Sequence, residues 1–293
     1  MSDQENKLLK KIAEIEKLLQ SKDSEISTYR NQLYQLSHQL DEMISTGETE
    51  FSALRQLFQN LVPTELPQIN GFEFSRKFVY GTQSGGDYFD LFLNKDKFKW
   101  SLLISAAENY TTSAVILSQI INHSTLFSDK ETSVSEKVKK FVTDITVAPV
   151  GEFSLFFGQV DRRDLNFEFC CLGKICGIVT TPTMGSINNF MTQIISAESP
   201  GEKLSSANHM KSITLNLEPK SKVCFVTPGV LDVLPIQKLA AICQSMASQD
   251  VHKLRNEIFF QAEQQSGRTQ PLRDQVVFVF EIKENLIKIA RNV

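Results

Sequence analysis

The sequence predicts an α+β fold preceded by an α-helical coiled coil. Two observations carry this prediction. Residues 4–44 contain no glycine and no proline, and their apolar residues recur every seven positions. From residue 70 onward, apolar strand-like runs come in hairpin-sized pairs, and the helical segments come in separate pairs. This arrangement favours antiparallel sheets covered by helices over a doubly wound parallel sheet.

The seven-residue repeat predicts a parallel homodimer. Its a positions hold Ile12, Leu19, Ile26, Leu33 and Leu40, and its d positions hold Leu8, Ile15, Lys22, Tyr29, Leu36 and Met43. A sustained period of about 3.5 residues is typical of a left-handed coiled coil, whereas a helix packed on a globular domain shows a period of about 3.6. In a parallel pair, Glu25 would face Arg30 of the second chain, so opposite charges would meet. A single helix folded back on its own domain and a heterodimer are the alternatives.

The repeat breaks at Gly47, which predicts a coiled coil over residues 1–48 and a globular domain over 49–293. A short helix from Phe51 to Leu61 is expected to stop at Pro63. Strands are predicted at 71–80, 87–93, 97–105, 152–160, 165–171, 174–181, 210–217, 221–227 and 275–282. Helices are predicted at 112–126, 134–147, 235–247 and 250–265. The lysines at 137, 139 and 140 are expected on a solvated helix face.

Composition excludes several classes of function. The chain has 31 Lys and Arg against 34 Asp and Glu, so the net charge of −3 argues against nucleic acid as a ligand. No apolar run approaches the roughly 18 residues of a membrane helix, so membrane insertion is not expected. The charged N-terminus lacks a signal core, and the odd count of 5 cysteines suits a reducing compartment. We therefore expect a cytoplasmic protein. The 4 histidines are scattered, and no Ser-His-Asp arrangement is expected.

Four segments form an ordered set of motifs between residues 50 and 285. They are 54–63 (LRQLFQNLVP), 84–90 (SGGDYFD), 223–232 (VCFVTPGVLD) and 273–280 (RDQVVFVF). In this order and spacing they resemble the PPM-type protein phosphatases, specifically the bacterial SpoIIE/RsbU-type branch. The second segment is specific by itself, since it is very close to the Gly-Gly-Asp-Tyr-Tyr-Asp motif of that branch. The resemblance implies a PPM-phosphatase-like α-β-β-α sandwich.

The resemblance also implies a chemistry. These phosphatases use two Mg²⁺ or Mn²⁺ ions to activate a water that attacks a phosphoryl group in line. The family holds the ions with aspartates at strand ends and turns, because hard divalent cations prefer carboxylate and water oxygens. Whether this chain can do the same depends on which of those aspartates it keeps.

Only one of the four family positions clearly keeps its aspartate. Asp87 matches the first position, whereas Ser105 stands at the second and Pro228 at the third. The fourth position falls on Arg273 or Asp274, depending on a one-residue shift that slightly favours Arg273. A lone carboxylate cannot hold a two-metal cluster, so neither a catalytic residue nor a metal cofactor is expected. If any metal bound, Asp87 and Asp274 would be its ligands.

Two further acidic residues, Asp90 and Asp232, match family positions that are not expected to bind metal. An open alternative is that they form a shifted site together with Glu108. We also expect the Arg273 guanidinium to pair with Asp87 and so to replace the bridging that a metal ion provides in the family.

These expectations lead to a functional hypothesis. Members of the resembled branch act on phosphoserine switch proteins that control anti-sigma factors. A degenerate copy is expected to be a pseudophosphatase, that is, a dimeric signalling adaptor that binds a regulatory protein partner without catalysis. The alternative is a divergent metal-dependent serine/threonine phosphatase acting on a phosphorylated regulatory protein, with Mg or Mn as cofactor. A third possibility is a structural scaffold in which the coiled coil does the work.

Overall fold

A computed structural model gives the fold of the chain. It describes residues 65–82, 85–93, 98–129, 132–145, 152–183, 189–196 and 211–283. Before residue 65 it describes positions 11, 15, 18, 19, 22, 25, 26, 29–36, 52, 53, 55, 56 and 60. The chain divides into two compact units, Met1–Leu54 and Arg55–Val293.

The described part of the second unit contains ten strands and six helices. The strands are β1 (Phe72–Val79), β2 (Tyr88–Leu93), β3 (Lys99–Ala107), β4 (Phe153–Asp161), β5 (Asn166–Leu172), β6 (Cys176–Pro182), β7 (Phe190–Ile195), β8 (Ile213–Asn216), β9 (Lys222–Val226) and β10 (Gln275–Ile282). The helices are α1 (Tyr110–Asn122), α2 (Ser124–Phe127), α3 (Val134–Ile145), α4 (Pro228–Leu231), α5 (Ile236–Ser245) and α6 (Val251–Ser266).

The strands form two five-stranded sheets, in the orders β1-β10-β9-β6-β7 and β2-β3-β4-β5-β8. Every recorded strand pair is antiparallel. The α+β prediction is therefore confirmed. Because β1 and β2 belong to different sheets, the segment between them crosses from one sheet to the other. Its described part lies beside the start of β10 and carries Gly85, Gly86 and Asp87 of the second motif.

Aromatic side chains from the two sheets meet in the middle of the sandwich. The ring of Phe156 on β4 lies 4.1 Å from that of Phe225 on β9, centroid to centroid. Trp100 on β3 meets Phe280 on β10 edge to face at 5.1 Å. All four side chains are buried, and burying one such side chain contributes about 2–3 kcal/mol. This aromatic layer holds the two sheets together and fixes where their strand ends meet.

Helices cover the outer face of each sheet. Helices α5 and α6 pack on the first sheet around a cluster that includes Leu239, Ile258 and Val277. Helices α1 and α3 pack on the second sheet. The layers therefore run α-β-β-α. Since both faces of each sheet are covered, the central strands read as nearly continuous apolar runs, as in β10.

The elements predicted within residues 65–283 are confirmed, with four differences. Of the predicted helix 51–61, only positions 52, 53, 55, 56 and 60 are described, and these are helical. The predicted helix 112–126 is interrupted at His123, which ends α1 with a non-helical ψ of 11°. It also begins earlier, at Tyr110, because the side chain of Asn109 accepts the Thr112 N–H and caps the helix. Strand β7 and the short helix α4 were not predicted.

The expectation of a solvated Lys137 is wrong. Its side chain is completely buried, and its ammonium donates to the carbonyls of Phe127, at 3.4 Å, and of Asp129. It also lies 5.8 Å from the centroid of the Phe157 ring. The ammonium therefore links the end of α2 to α3. Burial lowers the pKa of Lys137.

The described positions of the first unit are helical, and their apolar side chains are exposed. These include six of the predicted seam residues: Ile15, Leu19, Ile26, Tyr29, Leu33 and Leu36. The seam residues Leu8, Ile12, Leu40 and Met43, the break at Gly47 and the stop at Pro63 lie outside the described residues. The coiled coil stays a prediction. None of the described helices is long and apolar enough to cross a membrane.

Candidate functional site

A buried carboxylate lies where the chain crosses between the sheets. Asp87 directly precedes β2 and is 0% exposed. Within the described part of the chain, neither carboxylate oxygen has a hydrogen-bond partner of normal geometry. The Thr227 hydroxyl lies close enough to lower the pKa of Asp87. An unpaired buried carboxylate is costly in its charged form, so this residue marks a candidate site.

A second carboxylate lies beside the first. Asp274 stands one residue before β10 and is 1% exposed. Its Oδ1 accepts the Gly81 N–H at 2.7 Å, and its Oδ2 accepts the N–H groups of Gly86 at 2.7 Å and of Asp87 at 3.4 Å. Three backbone donors therefore hold Asp274 against the segment that carries Asp87. Of the two residues considered for the fourth family position, Asp274 is the one whose carboxylate lies here.

The expected pair between Arg273 and Asp87 is wrong. Arg273 donates from Nη2 to the Ala107 carbonyl at 3.2 Å, and it makes no hydrogen bond to Asp87. Successive side chains of an extended chain point to opposite sides. Because Asp274 takes the side that faces Asp87, Arg273 is directed to the end of β3. Its guanidinium is still near enough to lower the pKa of Asp87.

The other two family positions also lie next to Asp87. Ser105 on β3 stands opposite Tyr88 in the register of β2 and β3, and its side chain is buried. Pro228 begins α4 directly after Thr227 and is buried too. The backbone at all four positions thus lies close together. At two of them the side chain offers no carboxylate.

The shifted site is not formed by the described residues. Asp90 uses its oxygens to accept from the Tyr88 hydroxyl at 3.2 Å and from the Leu91 N–H at 2.7 Å. Glu108 is exposed, and Asp232 ends α4. In the part of the chain that is described, no three histidine, cysteine or acidic side chains gather closely enough to hold a metal ion. The alternative that combined Glu108, Asp90 and Asp232 is therefore wrong.

Sequence reasoning missed a cation at this site. The guanidinium carbon of Arg55 lies 6.0 Å from the centroid of the Tyr80 ring, and Tyr80 directly precedes the Gly81 that binds Asp274. Burial, and then the charge of Asp274, raise the pKa of Tyr110 to about 12, and Arg55 opposes this shift. Arg55 belongs to the first of the four motifs, but only the apolar pattern of that motif was used in the prediction.

Burial governs the two acids. Burial, followed by the charge of Asp274, raises the pKa of Asp87 well above its usual range. Burial also raises the pKa of Asp274, while the backbone N–H of Gly81 and its neighbours oppose that rise. Burial therefore disfavours the charged form of both carboxyl groups.

We expect Asp87→Asn to stabilise the protein by about 2 kcal/mol at pH near 8, because it removes an unpaired buried charge. The folded state binds the Asp87 proton more tightly than the unfolded state, whose pKa is close to 3.8. Wild-type stability is therefore full below that value and falls as pH rises towards the folded pKa. The difference in free energy of unfolding between the variant and the wild type should disappear at about pH 4. Urea denaturation in EDTA at several pH values measures this, and equal stabilities at pH 8 would contradict it.

A serine, a histidine and a glutamate also meet on the outer face of the first sheet, where no such arrangement was expected. Ser75 Oγ lies 3.0 Å from His252 Nδ1, and His252 Nε2 lies 3.7 Å from Glu73 Oε1. Ser75 is only 2% exposed, so a substrate cannot reach its hydroxyl. The cluster ties α6 to β1 and is not a nucleophilic site.

Comparison with known proteins shows which solved structures share this fold. No family model and no curated protein matches the sequence. Among solved structures, the SiaA PP2C domain of Pseudomonas aeruginosa is similar with a TM-score of 0.62 and 13% identity, over 82% of this chain and 98% of that one. The RsbU and RsbW domains of Rv1364c from Mycobacterium tuberculosis give a TM-score of 0.59 and 15% identity, over 76% of this chain.

The PP2C phosphatase domain and regulatory fragment of SpoIIE from Bacillus subtilis give a TM-score of 0.56 and 12% identity, over 72% of this chain. The match spans 63% of that structure, and 63% of the Rv1364c structure as well. At such identities the likeness concerns the fold alone. The globular unit of this chain therefore has the two-sheet fold of the PPM-type, or PP2C, phosphatase domains of the RsbU, SpoIIE and SiaA group.

Proposed function

We propose that the globular unit is a catalytically inactive pseudophosphatase that acts as a signalling adaptor by binding a regulatory protein in the cytoplasm. One observation carries the proposal. Among the four positions that match the family motifs, Ser105 and Pro228 offer no carboxylate, and only Asp87 and Asp274 are acidic.

The residues present do not fit a two-metal centre. Such a centre takes most of its protein ligands from carboxylate oxygens. Asp87 has free oxygens, but those of Asp274 already accept three backbone N–H groups. Pro228 has no oxygen in its side chain, and the Ser105 hydroxyl is neutral. We therefore derive no metal-dependent step for this chain.

The adaptor is proposed to be a homodimer formed through the first unit. Apolar side chains at its described helical positions are exposed and would be stabilised by burial against a partner. Their heptad spacing allows a second copy of the same helix to bury them. Members of the resembled branch act on regulatory switch proteins, and a surface for such a protein can persist after the chemistry is lost.

We expect no Mn²⁺-dependent or Mg²⁺-dependent hydrolysis of a phosphoserine peptide or of an aryl phosphate by the full-length protein. Asp87→Asn should leave this baseline rate unchanged, because the site holds too few carboxylates to assemble the metal centre. The assay needs an active PP2C phosphatase as a positive control. A metal-dependent rate that Asp87→Asn abolishes would contradict the proposal.

A divergent metal-dependent serine/threonine phosphatase is the second candidate. The observation that favours it is the contact of Asp274 with the backbone of Asp87, which leaves two neighbouring carboxylates at the site. Calorimetric titration of the full-length protein with Mn²⁺ separates the two candidates. Tight binding of two ions supports the enzyme, and no binding supports the adaptor.

A further inference from the structure

Two arginines oppose the negative charge of the site. The charge of Arg273 lowers the pKa of Asp87, and the charge of Arg55 lowers the pKa of Asp274. Asp232 adds a further negative charge near Asp87. The Nε atoms of both arginines are shielded from solvent and have no hydrogen-bond partner among the described residues. Each guanidinium therefore keeps an unused Nε donor near the acidic pair.

Arg55 is the less firmly held of the two. Arg273 is fixed by its hydrogen bond to the Ala107 carbonyl and by its place beside Asp274 in the chain. Arg55 is the first residue of the globular unit and reaches the site by lying against the Tyr80 ring. Tyr80 directly precedes Gly81, whose N–H donates to Asp274. The aromatic ring thus connects the Arg55 guanidinium with the residue that positions one of the two carboxylates.

We propose that Arg55 is a built-in counter-cation that keeps divalent metal ions out of the site formed by Asp87 and Asp274. With both arginines present, a divalent ion would enter a site flanked by two guanidinium groups whose charges oppose its own. Without Arg55, one of these opposing charges is gone, and the net charge of the site becomes more negative by one. The inference rests on the proposed loss of the two-metal centre and names what has taken its place.

The test measures Mn²⁺ binding by the full-length protein without any activity assay. Thermal unfolding is recorded in EDTA and in millimolar Mn²⁺ for the wild type and for Arg55→Gln. We expect no Mn²⁺ effect on the wild type. For Arg55→Gln we expect an increase in Tm of about 3 °C at a Mn²⁺ concentration tenfold above the dissociation constant. Calorimetric titration should show about one ion per chain.

Three variants isolate the cause. Arg55→Lys keeps the charge and should exclude Mn²⁺ as the wild type does. Arg163→Gln removes one positive charge from the exposed turn between β4 and β5, where Arg163 pairs with Asp161, and should not create binding. Arg55→Gln combined with Asp87→Asn should lose the gained binding, which would place the ion at Asp87.

The following results would contradict either the role of Arg55 or the proposed function. If Arg55→Gln shows a wild-type circular dichroism spectrum and gains no Mn²⁺ binding, the inference is wrong. If it fails to fold, Arg55→Met, which keeps the apolar stem over Tyr80, takes its place under the same criterion. Mn²⁺ binding by the wild type that equals binding by the variant also overturns the inference. Mn²⁺-dependent hydrolysis by the wild type would instead overturn the proposed function.

Discussion

Alanine at Leu19, Ile26 and Leu33 together is expected to convert the full-length protein from a dimer into a monomer. These residues occupy a positions of the heptad, and their side chains would supply the knobs of the seam. All three lie at helical positions and are exposed in the single chain. Truncating a buried leucine or isoleucine costs about 2–5 kcal/mol. Three truncations in each chain therefore weaken association by more than about a thousandfold.

Sedimentation velocity over a range of protein concentrations measures this change. Alanine is the strongest helix former, so circular dichroism should show that the helix content is kept and that only association is lost. The matched control is Asn31→Ala with Gln35→Ala, which lie at exposed helical positions outside the a and d seam. The control should stay dimeric. A wild type that already sediments as a monomer would show that the coiled-coil prediction is wrong.

The sequence contained enough information to locate the candidate site. The motif around Asp87 and the start of the last strand near Asp274 are far apart in the chain, and both lie at strand ends. Antiparallel packing brings such ends together, and the side-chain hydrogen bonds of Asp274 to Gly81 and Gly86 confirm that these two segments meet. The strand pattern was predictable because covered sheets require apolar runs.

The side of the chain that faces the site was not predictable from the same pattern. A one-residue shift in an extended segment exchanges the two faces. The apolar run that follows Arg273 and Asp274 was compatible with either residue and slightly favoured Arg273, which is not the one that faces Asp87. The backbone N–H groups of the crossing segment decide the matter, because they bind the carboxylate of Asp274. The positions of these N–H groups depend on a loop conformation, which the periodicity of apolar residues does not predict.

Lys137 shows a different limit. It stands three residues after Val134 and four before Phe141, so helical geometry places it on the same face as these buried residues. The spacing therefore indicated that Lys137 is buried, whereas its charge led to the wrong expectation of a solvated side chain. A lysine can occupy such a position because carbonyl groups at the end of α2 accept its donors. Tertiary packing brings those acceptors to the lysine, so the local sequence pattern does not reveal them.

Gly86→Ala is expected to destabilise the globular unit by about 4 kcal/mol, through two separate effects. The residue has φ of +101°, a conformation that an L-residue adopts only with strain of about 1–3 kcal/mol. A Cβ at this position would also overlap the Oγ and Cβ of Ser113 on α1. Ser113 is buried, and forcing an extra methyl group into a packed interior costs about 1–3 kcal/mol.

Two variants separate strain from overlap. Gly267→Ala introduces a Cβ at a positive φ of +61° with no atom within 4 Å of it, so it should cost only the backbone strain of about 1 kcal/mol. Gly86→Ala combined with Ser113→Gly removes the overlapping side chain and should recover part of the loss, apart from the cost of glycine in α1. Urea denaturation gives each value. If Gly86→Ala costs no more than Gly267→Ala, α1 does not approach the crossing segment as closely as the overlap with Ser113 requires.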